Sequence, residues 1–195
     1  MLLCPHSAVI CAAGAGTRMG CPKALCLLGH RSFLSSIVET LYSVCVDNII
    51  VVVGAEAQRI RDAHANLSVQ WVENADWQHT YMLESLLCGL ERVPQKHAVI
   101  HWPVDCVDVH VEDLKHLMDT KAPLASLAYD GVPGHPMRLT PEYVALLRQK
   151  APQYVSLRQF VDEFCLETIA AQHPALMNCN TPQRLDDYLK SRCPK

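Results

Sequence analysis

The sequence has no surplus of basic residues, no membrane-length apolar run and no paired-cysteine metal motif, and each absence closes off a class of function. Seventeen Lys and Arg against twenty Asp and Glu leave a formal net charge of -3, so no domain-wide positive field could hold a phosphodiester backbone. No nucleic-acid partner is expected. The longest apolar stretches, such as Asn48 to Ala55, fall far short of the roughly 20 residues that a bilayer-crossing helix needs. The N-terminus also lacks the basic, apolar and small-residue succession of an export signal, so a cytoplasmic protein with no membrane partner is expected. What is present is a chain of 195 residues that is 50% apolar and 19% charged. That balance excludes disorder, collagen-like repeats and coiled coil, and it predicts one compact domain over residues 1–195. Internal repeats, low-complexity segments and linkers are absent too.

Ten cysteines and ten histidines stand out. The cysteines, at positions 4, 11, 21, 26, 45, 88, 106, 165, 179 and 193, form no C-x-x-C pair, which removes the commonest zinc and thioredoxin-like spacings. H-E-x-x-H is missing as well, and His97 and His101 sit on a strand-like run rather than on one helix face. Reduced thiols serving as small apolar residues account for most of the cysteines.

Hydrophobic patterning alternates between the two regular periods. Ala8 to Ala13, Asn48 to Val53, Val69 to Val72, Ala98 to Val104 and Leu124 to Tyr129 read as strands, short apolar runs of the kind buried in parallel sheets. Ser32 to Val44, Glu56 to His64, Met82 to Arg92, Glu112 to Met118, a segment opening at Pro141, Leu157 to Phe164 and Pro182 to Leu189 read as helices, several with apolar residues recurring at i, i+3 and i+4. Asp130, Gly131, Pro133 and Gly134 read as turn residues before a short extended piece from His135 to Leu139. The stretch that follows Phe164, to about Cys179, fits neither period. The alternation predicts an α/β fold with a helix-covered parallel sheet, in which ligands bind at the carboxyl ends of strands. Function is therefore sought at residues 13–23, after the first strand, and at Asp105, where Pro103 ends another.

The loop reads Ala13-Gly14-Ala15-Gly16-Thr17-Arg18-Met19-Gly20-Cys21-Pro22-Lys23. Its glycines let backbone amides turn inward as an anion nest, while Arg18 and Lys23 supply positive charge for phosphates. The dinucleotide fingerprint G-x-G-x-x-G does not fit, because the third glycine arrives one residue late and Pro22 follows where a helix would be running. A Walker loop does not fit either, since Cys21 and Pro22 separate Gly20 from Lys23. The segment from Ala12 to Lys23 instead resembles, at every fixed position, the signature A-A-G-x-G-[TS]-R-M-G-x-P-K of the MobA-like NTP transferase family, the sugar-nucleotide and molybdopterin nucleotidyltransferases.

The resemblance carries further expectations. It implies a three-layer, mostly parallel Rossmann-like sheet of the nucleotide-diphospho-sugar transferase type. The loop residues Ala12, Ala13, Gly14, Ala15, Gly16, Thr17, Arg18 and Lys23 would wrap the triphosphate of a nucleotide. Asn74-Ala75-Asp76-Trp77, with Met82, Ser85, Leu86, Gly89 and Leu90, is similar to a family segment near the nucleobase, so Asn74 and Ser85 are candidate nucleotide contacts. Tyr81 stands where that segment usually has glycine. Asp105 matches the family's magnesium-binding aspartate, with Val107 in place of the customary proline, and Asn178 to Pro182 resembles the segment that supplies the second ligand, here Asn180. Magnesium is the implied cofactor; it takes an octahedron of carboxylate, water and phosphate oxygens, so one or two protein ligands suffice. Gly131 to Pro136 looks like the G-x-x-G-H-P segment of the molybdenum cofactor cytidylyltransferases, which makes His135 a candidate acceptor contact.

The implied reaction moves a nucleoside monophosphate from an NTP, with CTP favoured, to a small phosphorylated acceptor such as molybdopterin, releasing pyrophosphate. Arg18, Lys23 and Asp105 are the implied catalytic residues. A phosphate acceptor is already ionised at neutral pH and needs no general base, which agrees with the lack of any Ser/His/Asp or Cys/His set in the motif regions. Two alternatives stay open: the same chemistry on a sugar phosphate or another small phosphate, and a nucleotide-binding relative without catalysis. The expected assembly is a monomer or a weak homodimer. Cys11, Cys45 and Cys88 are expected to be buried, whereas Cys21, Cys106 and Cys179 are expected at the site as points of oxidation without a catalytic role.

Overall fold

A computed structural model describes residues 4–192, so Cys193 lies outside them. The chain runs through β1 (His6–Ala12), a ribbon of β2 (Leu27–Leu28) and β3 (Arg31–Ser32), α1 (Phe33–Ser43), β4 (Asn48–Val53), α2 (Ala57–Ala63), β5 (Gln70–Glu73) and α3 (Met82–Leu90). It continues through β6 (Ala98–Pro103), α4 (Val111–Asp119), β7 (Leu124–Tyr129), β8 (Val132–Leu139), α5 (Pro141–Lys150), α6 (Leu157–Glu163), β9 (Glu167–Ala170) and α7 (Pro182–Arg192).

Seven strands form one sheet in the order β5-β4-β1-β6-β8-β7-β9. Only β8 runs antiparallel to its neighbours β6 and β7. Successive residues of the central strands point to opposite faces, and the buried side chains sort accordingly. Ala8, Ile10, Ile49, Val51, Val53, Ile100 and Trp102 pack in one core with Phe33, Leu34, Ile37 and Leu41 of α1, Ile60 of α2 and Leu114 of α4. Val9, Ile50, Val52 and Val99 pack in the other with Leu83, Leu86 and Leu90 of α3, Val144 and Leu147 of α5, and Phe160 of α6. Both faces are covered, which is why these strands read as unbroken apolar runs. The arrangement is the three-layer, mostly parallel α/β fold that the resemblance implies.

Three features depart from the sequence reading. Pro133 and Gly134 lie within β8, and the tight turn before it consists of Asp130 and Gly131, with φ of 51° and 77°. Residues 167–170, where neither period is visible, form an edge strand beside β7; its side chains are mostly exposed, so no buried stripe marks it. Cys45, expected to be buried, is exposed at φ 59°, just beyond the end of α1.

The first crossover carries the chain from β1 outward to β4 and β5, and the next returns it to β6 on the other side of β1. Strand order reverses there, and at such a switch point the loops splay apart to leave a crevice at the carboxyl ends. The loop after β1 and Asp105 after β6 flank this crevice. Pro103 is tolerated in a central strand because the pairing of β6 with β8 stops at His101.

Candidate active site

The crevice is a cleft of about 290 Å³. One wall is the loop after β1. Ala13 still accepts from the Ala55 amide at 2.9 Å, and then the chain turns through Gly16 at φ 63° into a 3-10 turn at Thr17–Met19. Buried Met19 pins that turn, and Gly20 closes it at φ 75°. Among the described residues, the N–H groups of Gly14, Ala15 and Gly16 donate to no protein acceptor. Free amides in a glycine-rich turn of this kind can donate to an anion. A second 3-10 turn, Lys23–Leu25, is anchored by buried Ala24 and follows Pro22. It places Lys23 on the wall of the cleft.

The opposite wall is acidic and polar. Asp105 follows β6, with its side chain 14% exposed, and the Lys23 Nζ donates to its Oδ2 at 2.8 Å. The same ammonium donates to the Asn180 Oδ1 at 2.5 Å, 157 residues along the chain, and Arg18 donates to that oxygen at 3.3 Å. Asn180 is carried there by a short backbone bridge, in which Val107 and Leu176 exchange two hydrogen bonds of 2.9 Å and the Cys179 amide donates to the Asp105 carbonyl at 2.9 Å. Trp102 Nε1 donates to the Cys106 carbonyl at 2.6 Å, tying the turn after Asp105 to the core.

The third side is the start of α3. Ser85, Tyr81, Met82, Thr80 and Trp77 line the cleft. Asn74 does not. It is buried behind them, donating through Nδ2 to Thr80 Oγ1 at 2.8 Å and Ser85 Oγ at 3.1 Å while its Oδ1 accepts from the Asp76 amide at 3.1 Å. Asn74 thus orients the two hydroxyl groups rather than facing the cavity. Tyr81, where the family has glycine, is 68% exposed at the rim. Trp77 and Thr80 were not singled out from the sequence as contacts, although Trp77 lies in the quoted segment.

The structure gathers Ala12, Ala13, Gly14, Gly16, Thr17, Arg18, Lys23, Ser85, Asp105 and Asn180 around one cavity, and leaves Ala15, Asn74 and His135 off its lining. His135 packs edge-on against buried His101, ring centroids 5.2 Å apart. Burial pushes the His135 imidazole down to about 4, and it pushes His101 well below its ordinary value with help from the neighbouring His135. The thiols are distributed differently from expectation. Cys106 and Cys179 are buried beside Asp105, Cys21 lies 3.3 Å from Cys26, and the cysteine that lines the cleft is Cys11 of β1. Burial raises the Cys106, Cys179 and Cys11 thiols and pushes Cys26 up to about 12, so these groups stay protonated and weakly reactive.

An α/β fold with a glycine loop at its switch point and a carboxylate paired with a lysine across the cleft is thereby in view. The chain belongs to the MobA-like NTP transferase domain family, whose model matches residues 8–187. It is 31% identical over 166 residues to nicotine blue oxidoreductase of Paenarthrobacter nicotinovorans, a match covering 77% of this chain and 80% of that protein. It is 34% identical over 116 residues to the bifunctional protein GlmU of Halorhodospira halophila, covering 58% of this chain and 24% of that protein. The chain thus matches about a quarter of the length of that curated relative. A nucleotidyl transferase from Methanothermobacter thermautotroptrophicus has the same fold, with a TM-score of 0.77 at 20% identity over 97% of this chain and 99% of that one. Among the described residues, no helix is long and apolar enough to cross a membrane.

Proposed function

We propose that the protein transfers a nucleoside monophosphate from an NTP, favouring CTP, to the phosphate of a small acceptor, molybdopterin first among them, with release of pyrophosphate and with magnesium as cofactor. The observation that carries this reading is the Lys23 ammonium held between Asp105 and Asn180, in one cleft with Gly14 and Gly16, whose amides have no protein acceptor among the described residues. The glycine loop and the Asp105–Asn180 pair line the same cavity of about 290 Å³.

Asp105 and Asn180 fit a divalent cation. Both present hard oxygen donors, and both already converge on a cation, the ammonium. They would hold magnesium, which when bound supplies charge neutralisation at the reacting phosphates. The chain's own groups do the rest. The loop amides fix the triphosphate, Lys23 and Arg18 offset the charge that builds on departing pyrophosphate, and Ser85 with Asn74 behind it orients the nucleoside end. His135, buried against His101, stays neutral at physiological pH and is assigned to the acceptor side by the segment it belongs to. No side chain needs to take a proton from a phosphate acceptor. The preference for CTP and molybdopterin rests on the segment Gly131-Val132-Pro133-Gly134-His135-Pro136. The protein acts in the cytoplasm as a monomer or a weak homodimer.

Pyrophosphate release, measured with each of the four ribonucleoside triphosphates against molybdopterin, phosphocholine and a sugar 1-phosphate, tests the reading. Release with CTP and molybdopterin is expected, and Asp105→Ala abolishes it. Nucleotide binding without release for any acceptor would overturn the assignment of catalysis.

A further inference from the structure

We propose that Lys23 occupies the metal position in the nucleotide-free protein, so that a divalent cation enters the site only together with the triphosphate. The inference deepens the proposed function and rests on its assignment of Asp105 and Asn180 as metal ligands.

Two oxygens from distant parts of the chain, Asp105 Oδ2 and Asn180 Oδ1, meet at one point, and that point is filled by Lys23 Nζ at 2.8 and 2.5 Å. A magnesium ion would need the same oxygens at about 2.0–2.1 Å. Two cations cannot share that position, because each forfeits the attraction of the carboxylate and meets the charge of the other. The site as it stands is electrically satisfied. Asp105 is balanced by Lys23, and Arg18 adds a further cation at 3.3 Å from the Asn180 oxygen. A metal ion arriving alone would have to break a half-buried ion pair and leave an ammonium without a partner.

The triphosphate changes this balance. Lys23 carries its charge on a flexible four-carbon stem, while its backbone is fixed in the Lys23–Leu25 turn by buried Ala24 and by the Leu25 amide donating to Pro22 at 2.9 Å. The stem can therefore swing without moving the loop. Phosphate oxygens bound at the cradle amides draw the ammonium across the cleft and vacate the two oxygens in the same event. The device keeps the acidic end of β6 from collecting metal without substrate, and it gives Lys23 two successive partners, the protein carboxylate and then the phosphates.

The test is nucleotide-free manganese binding, read from the electron paramagnetic resonance signal of free aqueous Mn²⁺, which disappears on binding. The wild-type protein is expected to bind weakly. Lys23→Met, with Lys23→Ala as a second variant, binds about tenfold more tightly, the change equivalent to about 1.4 kcal/mol. The gain disappears in Lys23→Met combined with Asp105→Asn, and Lys23→Arg, which keeps a cation in place, stays weak. Arg18→Met removes a nearby charge without emptying the position. If it tightens manganese as much as Lys23→Met does, a general field and not occupancy is responsible and the proposal is overturned. Equal binding by Lys23→Met and wild type overturns it as well. Intrinsic tryptophan fluorescence, to which Trp77 on the cleft wall contributes, follows binding of a CTP analogue with a methylene bridge between its α and β phosphorus atoms, in the presence of manganese. A wild-type response that Asp105→Asn abolishes, with no gain in Lys23→Met, sinks the Lys23 inference alone. If the wild type gives no response to the analogue, the nucleotide-site reading falls with it.

Discussion

Gly16 is the residue on which the cradle geometry turns, and Gly16→Ala is the perturbation that examines it most directly. Its φ of 63° lies in the left-handed region, where an L side chain costs about 1 kcal/mol relative to glycine. A Cβ placed there would sit 2.2 Å from the Cys21 carbonyl oxygen and 3.2 Å from the Pro22 Cα, both backbone atoms. Restoring ordinary contact requires the 14–17 and 21–23 segments to part by about 1 Å, an overpacking that costs a further 1–3 kcal/mol or so. In a domain of this size the sum of about 2–4 kcal/mol lowers the melting temperature by roughly 5–15 °C. The amides of Gly14 to Gly16 and the Lys23 turn lie on either side of that contact, so a displacement of about 1 Å should cost on the order of a hundredfold in pyrophosphate release. Two neighbouring glycines calibrate the result. Gly20→Ala has open space at φ 75° and should lose only about 1 kcal/mol, whereas Gly14→Ala meets nothing within 4 Å and should melt with the parent. Thermal melts and steady-state kinetics read all three, and a Gly16→Ala protein that melts within about 2 °C of the parent at more than half its rate would refute the reasoning.

Two further predictions concern the surrounding structure. Burial and the adjacent Arg138 hold His6 down to about 4, and burial holds His101 well below its ordinary value. Below about pH 6.5 the unfolded chain takes up protons that these folded imidazoles refuse, so stability is full above that pH and declines toward pH 4, by about 1.4 kcal/mol per pH unit for each histidine. Denaturant unfolding at pH 7, 6 and 5 should show this decline, with a shallower slope in His6→Gln; an unchanged slope in that variant would count against the assignment. Asp113, 1% exposed on α4, accepts from the Gln172 and His173 amides at 2.8 and 3.1 Å and from His173 Nδ1 at 3.1 Å. Asp113→Ala leaves two amides short of an acceptor and should destabilise by about 2–4 kcal/mol. Because those amides begin the segment that ends at Asn180, hydrogen exchange over residues 171–180 should quicken in the variant; unaltered exchange there would show that Asp113 does not order the segment.

Much of the sheet is legible in the chain because strands covered on both faces must be apolar at nearly every position. Asn48–Val53 is a strand with the bounds its composition suggests, and Met82–Leu90 shows its helical stripe plainly. Where burial is one-sided or slight, the signal fades. The edge strand β9, the two-residue ribbon of β2 and β3, and α7, none of whose residues is buried, carry little or no period to read. Only the proline and threonine at its start betray α7, through the Thr181 hydroxyl that accepts from the Arg184 amide at 3.3 Å. The cysteines divide on the same physical line: a thiol's sequence position cannot tell exposed Cys45 from buried Cys106.

The glycine loop after β1 is legible in the sequence, because a nest of amides needs glycine at fixed spacings and cations within a few residues, and all of these are local. The partners of those cations were not. Asn180 reaches Lys23 across 157 residues through the bridge between Val107 and Leu176, and Asn74 turns out to support Ser85 and Thr80 from behind the cavity wall. Local chain geometry fixes which groups can cradle an anion; which oxygens then face the cations depends on where the switch point brings distant strand ends together, and only the packed sheet decides that.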